Sequence, residues 1–197
     1  NQITKGNFVV TRLVKMDASA RVLYFEANGR EPGRDPYLPH FYRINFDGTG
    51  LALLTPEDGN HQVAISPDGK YFVDNFSKMD VPNVAVLRDM TGKLVANLEK
   101  ADVSRLAATG WKPVKPITVK SADGKWDLYG VMFTPTNLDP KKKYPVINYI
   151  YPGPQGGGGG EHREHGPCHR EPPPEPVQDG VQCGDRHPEA HQEGETD

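Results

Sequence analysis

Apolar and polar residues alternate in short runs over the first hundred positions of the chain. Turn signals such as Ser66-Pro67-Asp68-Gly69 separate the runs. The runs lie at residues 8–15, 21–27, 40–46, 51–55, 61–65, 70–76, 83–89 and 93–98. A period of two places every second side chain on the same face, which is typical of a strand with one buried face. The sequence therefore predicts eight short strands in this region.

The last four of these strands repeat the first four. Arg21-Val-Leu-Tyr-Phe corresponds to Lys70-Tyr-Phe-Val, and Asp47-Gly-Thr-Gly corresponds to Asp89-Met-Thr-Gly. Four strands that recur every ~40 to 50 residues indicate the blades of a β-propeller, which we favour over a generic β-sandwich. Because two blades cannot close a ring, further blades are expected before Asn1.

The period changes after residue 100. Residues 101–109 carry apolar side chains at helical spacing and predict a short helix. Residues 111–116 contain two prolines and are predicted to form a connector. Two apolar runs, at residues 117–120 and 126–133, flank an Asp-Gly turn and predict a hairpin.

A further strand runs into a loop rich in glycine and proline. Residues 144–155 read YPVINYIYPGPQ, and the near-continuous apolar run at 146–151 predicts a strand covered on both faces. Pro152-Gly153-Pro154 ends the strand, since proline cannot donate to a sheet and glycine accepts positive φ. Enzymes of the α/β class place reactive groups at such strand ends. Two strands, a loop, a buried strand and this elbow together predict the start of an α/β-hydrolase sheet.

The composition changes sharply at Gly156. Residues 156–197 contain no Ile, Leu, Phe, Met, Trp, Tyr or Lys, but hold nine glycines and six prolines. Ten acidic residues and three arginines give this segment a net charge of −7, which leaves +4 for the preceding residues. Such a segment cannot bury enough apolar surface to offset its ordering entropy, so it is predicted to be disordered.

The predicted fold is thus mostly β, with four regions. Residues 1–100 form about two blades of a partial β-propeller, and residues 101–116 form a helix and linker. Residues 117–155 form the first strands of an α/β-hydrolase domain, and residues 156–197 form a disordered low-complexity tail.

The tail also concentrates residues that can bind metals. These residues are His162, His165, Cys168, His169, Cys183, His187 and His191. These residues can be interpreted as a zinc site or as a chance cluster of metal-binding side chains. We favour the second, because the segment lacks a Cys-x-x-Cys pair and the apolar residues that would build a fold around the ion. We expect no metal and no cofactor.

Charge and hydropathy argue against a nucleic-acid partner and against a membrane span. The net charge of −3 and the absence of a basic stripe argue against nucleic acid. No run approaches the roughly 18 apolar residues of a membrane helix, so no membrane span is expected in this chain.

Several segments together resemble the prolyl oligopeptidase family of serine peptidases, in its dipeptidyl peptidase IV branch. They are YRINFDGTGLALLT, ISPDGKYFV, PITVKSADGKWDLYGVMFTPTNLDPKKKYPV and IYPGPQ. The resemblance covers residues 1–155 and is contiguous. It implies a propeller over an α/β-hydrolase domain, and the release of N-terminal dipeptides, usually after proline or alanine. It implies peptide substrates with a free N-terminus and a periplasmic or secreted location, and it allows a homodimer.

The resemblance also implies one catalytic residue. In the family, the tyrosine that opens the Tyr-x-Gly-Pro elbow donates its hydroxyl to the oxyanion hole, and Tyr151 holds that position. A fixed donor stabilises the negative charge of a tetrahedral intermediate. Tyr149 points to the same face by strand alternation and is interpreted as a core residue.

The other catalytic groups of the family have no counterpart here. Acyl transfer needs a nucleophile in a G-x-S-x-G turn, an acid and a histidine. None of the five serines lies in that context, and the family places all three groups after the elbow. We therefore expect this chain to be inactive alone. We interpret the change at Gly156 as a truncated or frame-shifted reading of a longer gene.

One alternative belongs to another functional class. Propellers also serve as non-catalytic modules that bind proteins or peptides. Such a module would end near Leu98, whereas this chain continues into a hydrolase-type pattern, which favours the peptidase.

Overall fold

The computed structural model describes residues 2–149 and 181–186. In these ranges it contains twelve strands and one short helix. The chain forms two compact units, Asn1–Asp102 and Val103–Asp197.

The first unit contains two antiparallel sheets of four strands each. The first sheet has the order β1-β2-β3-β4 and the second has the order β5-β6-β7-β8. The first sheet consists of β1 (Val9–Asp17), β2 (Val22–Asn28), β3 (His40–Asn45) and β4 (Ala52–Leu53). The second consists of β5 (Asn60–Ile65), β6 (Tyr71–Lys78), β7 (Val81–Asp89) and β8 (Leu94–Lys100). Each sheet is the meander of a propeller blade, which confirms the predicted fold class.

The two blades share a hydrophobic core. Alternation along β2 and β3 directs one set of side chains toward the second blade, where Phe41 and Phe72 meet. The buried members of this core are Val22, Tyr24, Phe41, Leu54 and Phe72. The opposite face of the first blade buries a separate cluster, Phe25, Ala27, Tyr42 and Ile44. The first blade is therefore covered on both faces.

The last turn of each blade shows how the repeat is built. Gly48 N–H donates to the carbonyl of Asn45, and Gly92 N–H donates to the carbonyl of Asp89, both at 2.9 Å. Asn45 and Asp89 therefore occupy the same position in the two turns, whereas the sequence comparison aligns Asp47 with Asp89. The two alignments differ because Asp47 and Asp89 each accept a hydrogen bond from the threonine two residues later, although the two aspartates lie at different positions in their turns.

The second unit is a four-stranded mixed sheet with a short helix before it. The elements are α1 (Ser104–Ala107), β9 (Lys115–Lys120), β10 (Asp127–Phe133), β11 (Val146–Tyr149) and β12 (Val181–Arg186). The strand order is β11-β12-β10-β9. Strand β12 is antiparallel to β10 and parallel to β11.

Strand β12 lies within the segment for which the composition predicts disorder. Its backbone groups pair with both neighbours, from Val146↔Val181 on one side to Tyr129↔Arg186 on the other. Such pairing uses peptide groups and requires no large apolar side chain. The structure thus differs from the expectation at residues 181–186. The remainder of 156–197 lies outside the described residues.

The prediction that the strand at 146–151 is covered on both faces is wrong for its first residues. Val146 is 70% exposed and Ile147 is 39% exposed. A continuous apolar run signals burial only when helices cover both faces of the sheet. The one helix among the described residues, α1, has four residues and buries none of them.

Candidate functional site

The predicted oxyanion donor, Tyr151, lies outside the described residues, as does the elbow at 152–154. The structure does describe the strand that leads to it. Strand β11 ends at Tyr149, whose backbone pairs with Gly184. The assignments of Tyr151 and Tyr149 therefore stay predictions.

The metal-binding candidates of the tail also fall outside what the structure describes. Only the backbone of Cys183 is described, as part of β12. Among the described residues, no three metal-ligating side chains cluster.

The structure reveals a buried polar cluster in the first unit that sequence reasoning missed. Its centre is Asp74 on β6, which is 0% exposed. The Asp74 carboxylate lies 2.8 Å from Nδ1 of His61 and accepts a 3.2 Å hydrogen bond from Nε of Arg88. His61 and Arg88 are also buried, at 2% and 3% exposure. Three adjacent strands, β5, β6 and β7, thus contribute one ionisable side chain each.

The segment before β5 completes the cluster. Arg88 donates to Oε1 of Glu57 at 2.5 Å and to the carbonyl of Gly92 at 3.1 Å. The carbonyl of Glu57 lies 3.0 Å from Nε2 of His61. The carboxylates of Asp74 and Glu57 therefore both pair with the guanidinium of Arg88, so the buried charges have opposite-charge partners.

A second histidine borders this cluster. The rings of His40 and His61 lie 5.0 Å apart between their centroids. Nδ1 of His40 lies 3.1 Å from the carbonyl of Thr55, and Nε2 lies 3.4 Å from the guanidinium of Arg34. Burial lowers the pKa of His40, and the neighbouring His61 lowers it further.

Arg34 anchors the long loop between β2 and β3. Its guanidinium donates to the carbonyl of Pro56 at 2.8 Å and to the carbonyl of Glu57 at 3.1 Å. Glu31 holds the other side of the loop, because its carboxylate accepts a 3.0 Å bond from the hydroxyl of Tyr42. The loop is therefore fastened to both the first sheet and the segment that enters the second.

The geometry of the cluster is structural rather than catalytic. A His-Asp pair can activate a nucleophile only when the second ring nitrogen faces that nucleophile. In His61 the second nitrogen faces the carbonyl of Glu57 instead. The polar groups of the cluster thus bond to one another, and these bonds join the strands of the blade.

A sequence signal for the cluster exists in the alternation of β6 and β7. Asp74 lies two residues from Phe72 and shares its core-facing side. Arg88 is the register partner of Phe72 on the adjacent strand. Charged side chains are rarely buried unless they are paired. An acidic and a basic residue at core-facing positions of neighbouring strands could therefore have been identified as a buried ion pair. His61 gives no such signal, because the sequence shows no partner for it.

No helix among the described residues has the length and hydropathy needed to cross a bilayer.

Comparison with known families and proteins shows which of them the chain resembles. Residues 1–83 match the family model described as the dipeptidyl peptidase IV (DPP IV) N-terminal region. A probable dipeptidyl-aminopeptidase B of Ajellomyces dermatitidis is 32% identical over 161 residues, covering 77% of this chain and 17% of the relative. Human dipeptidyl peptidase 8 is 25% identical over 150 residues, covering 72% of this chain and 16% of the relative.

Solved structures agree with the sequence matches. A putative dipeptidyl aminopeptidase IV from Bacteroides ovatus superposes with a TM-score of 0.68 at 25% identity, over 94% of this chain and 26% of that chain. Dipeptidyl peptidase 4 of Porphyromonas gingivalis superposes with a TM-score of 0.63 at 24% identity, over 78% and 21% of the two chains, and supports the fold alone. The chain spans about a sixth of the length of its curated relatives. The family-model match, the named relatives and the similar solved structures together support a fragment of a dipeptidyl peptidase IV family protein.

Proposed function

We propose that this chain is part of a serine-type dipeptidyl aminopeptidase that releases N-terminal dipeptides, with X-Pro and X-Ala as the preferred substrates. The observation that carries the proposal is the 32% identity to a probable dipeptidyl-aminopeptidase B over 77% of the chain. The substrate is a peptide with a free N-terminus. The alternative of a non-catalytic binding propeller lacks a comparable observation, because the matched relatives are named as peptidases.

We assign separate roles to the segments of the chain. Residues 1–100 supply propeller blades, residues 101–116 the helix and linker, and residues 117–155 the start of the peptidase domain. The antiparallel pairing of β9 with β10, followed along the chain by β11 directly before the predicted elbow, supports the last assignment.

We assign to Tyr151 the role of oxyanion-hole donor. Its hydroxyl would donate to the oxygen that gains negative charge when the nucleophile attacks the scissile carbonyl. A fixed donor in a water-excluded site typically contributes roughly 2.7 to 4 kcal/mol to transition-state stabilisation. Tyr149 is two residues earlier, inside the strand, and is assigned to the core.

The chain by itself should not catalyse the reaction. Its five serines are Ser19, Ser66, Ser77, Ser104 and Ser121, and none lies in a G-x-S-x-G sequence. Purified chain should give no release of p-nitroaniline from Gly-Pro-p-nitroanilide above the blank. Turnover that survives repurification would contradict this assignment.

A chimera tests the proposal with the missing groups supplied. Residues 1–155 would replace the segment that they match in the Ajellomyces dermatitidis relative, and the unmodified relative is the control. We expect the folded chimera to release Gly-Pro from the same chromogenic substrate. A chimera that folds, shown by an unfolding transition like that of the control, yet releases no dipeptide would overturn the proposal.

A further inference from the structure

We propose that the paired imidazoles of His40 and His61 make the packing between the two blades of the first unit sensitive to pH. The sensitivity comes from His40, whose partners hold its ring neutral beside the ring of His61. The inference rests on hydrogen-bond geometry in the blades and does not depend on the proposed peptidase activity.

The partners of His61 hold its ring in place beside His40. Nδ1 faces the carboxylate of Asp74 at 2.8 Å, and Nε2 faces the backbone carbonyl of Glu57 at 3.0 Å. Arg88 is shared between Asp74 and Glu57. The His61 ring is therefore fixed at 5.0 Å from the His40 ring.

The partners of His40 require a neutral ring. Nδ1 faces the carbonyl of Thr55 and must donate, whereas Nε2 faces the guanidinium of Arg34 and must accept. Only the neutral ring with its proton on Nδ1 satisfies both partners. His40 is 3% exposed, so water cannot replace a lost partner easily.

Protonation of His40 would break this arrangement in two ways. It would place a positive charge against the guanidinium of Arg34, and it would leave Arg34 facing a donor. The charged groups around the His40 ring are Arg34 and Glu31 from the loop at 29–39 and His61 from β5. Glu31 opposes the effect, but its carboxylate is already bonded to Tyr42.

The direction of the pH effect follows from linkage. Burial and then His61 lower the pKa of His40 below its ordinary value of 6.5. The unfolded chain therefore takes up the proton first, at this residue, as the pH falls below that value. Stability is unaffected by His40 above the ordinary value and decreases below it, down to the lowered pKa of the folded state.

The first experiment compares the full chain with His40→Gln at about pH 7.5 and about pH 5. Glutamine can donate to Thr55 and accept from Arg34 but cannot be protonated. We expect the thermal midpoint of the original chain to fall by roughly 3 °C or more relative to the variant as the pH decreases. The histidines of the tail are the same in both proteins, so their titration cancels. An equal pH dependence in the two proteins would overturn the proposal.

The second experiment needs no variant and remains informative if His40→Gln does not fold. Imidazole ¹⁵N resonances of the full chain report the protonation of each nitrogen. At about pH 7 we expect one protonated nitrogen, Nδ1, on His40. On acidification, the Arg34 guanidinium resonances should shift together with protonation of His40. A doubly protonated His40 at about pH 7, or Arg34 resonances that do not change as His40 is protonated, would refute the mechanism.

Discussion

Phe41 and Phe72 meet edge to face, with their ring centroids 5.2 Å apart and their planes at 73°. Phe41 belongs to β3 of the first blade and Phe72 to β6 of the second, and both are 0% exposed. Edge-to-face pairs are favourable because the positive ring edge meets the negative ring face. The contact therefore joins the two repeats at the centre of their common core.

Truncating this contact should destabilise the first unit strongly. Phe72→Ala is expected to cost about 3–5 kcal/mol, since it removes a fully buried ring and leaves a cavity. Tyr71→Ala is the control, because the neighbouring Tyr71 is 40% exposed. Urea unfolding of the two variants measures the difference. A similar loss in both would show that the ring pair does not hold the blades together.

Breaking the buried ionic cluster should be similarly severe. Asp74→Ala leaves His61 and Arg88 buried without their shared carboxylate, and removal of one partner of a buried ion pair typically costs about 3–5 kcal/mol. The control is Asp127→Ala, whose ion pair with Lys120 is exposed and should contribute about 0–1 kcal/mol. Chemical denaturation of both variants decides the matter. An equal free energy of unfolding in the two variants would mean that water replaces the interactions that Asp74 makes in the cluster.

Glycine at the last turn of the second blade is expected to be essential for a steric reason. Gly92 has φ +89°, and a Cβ there would lie 2.9 Å from backbone atoms of Leu54 in the first blade. Gly124 has φ +74° with nothing within 4 Å of such a Cβ. Gly92→Ala should therefore lose more stability than Gly124→Ala, in which only the backbone strain of about 1–2 kcal/mol applies. Equal losses, measured by thermal unfolding, would rule out the clash.

The aspartates of two hairpin turns should stabilise the folded chain at neutral pH, and this stabilisation should disappear at acid pH. Ser66 and Ser121 each donate to an aspartate two residues later, at 2.7 and 2.6 Å. The side-chain hydrogen bond from the serine and then a backbone N–H lower the pKa of Asp68 and of Asp123 below 3.8. A lowered carboxyl pKa stabilises the fold above the ordinary value, and the gain disappears as the pH falls through the folded value.

Asp68→Ala tests this expectation. The variant should be less stable than the original chain at about pH 5, and the gap should narrow at about pH 3 as the aspartate takes up its proton. Denaturation midpoints at the two pH values provide the measurement. A gap that is constant with pH would indicate that the charge of Asp68 does not contribute.

The blades were predictable from the sequence because their determinants are local. A period of two and turns such as Ser66–Tyr71 define each strand without knowledge of its neighbours. The ionic cluster was not predictable in full, because its members meet only after β5, β6 and β7 are placed in register. Burial of Val146 was predicted wrongly, since burial depends on what covers the sheet. Strand β12 was not predicted because it is held by backbone pairing with β10 and β11, which its own side chains do not reveal.

The measurement that tests the central claim most directly is the kinetics of Tyr151→Phe in the chimera with the relative's catalytic groups. We expect kcat for Gly-Pro-p-nitroanilide to fall roughly 100- to 1000-fold, with little change in KM, because only the transition state uses the phenol. Tyr149→Phe is the matched control and should retain near-original kcat. An unchanged kcat in Tyr151→Phe, or an equal fall in both variants, would contradict the assignment of Tyr151 to the oxyanion hole.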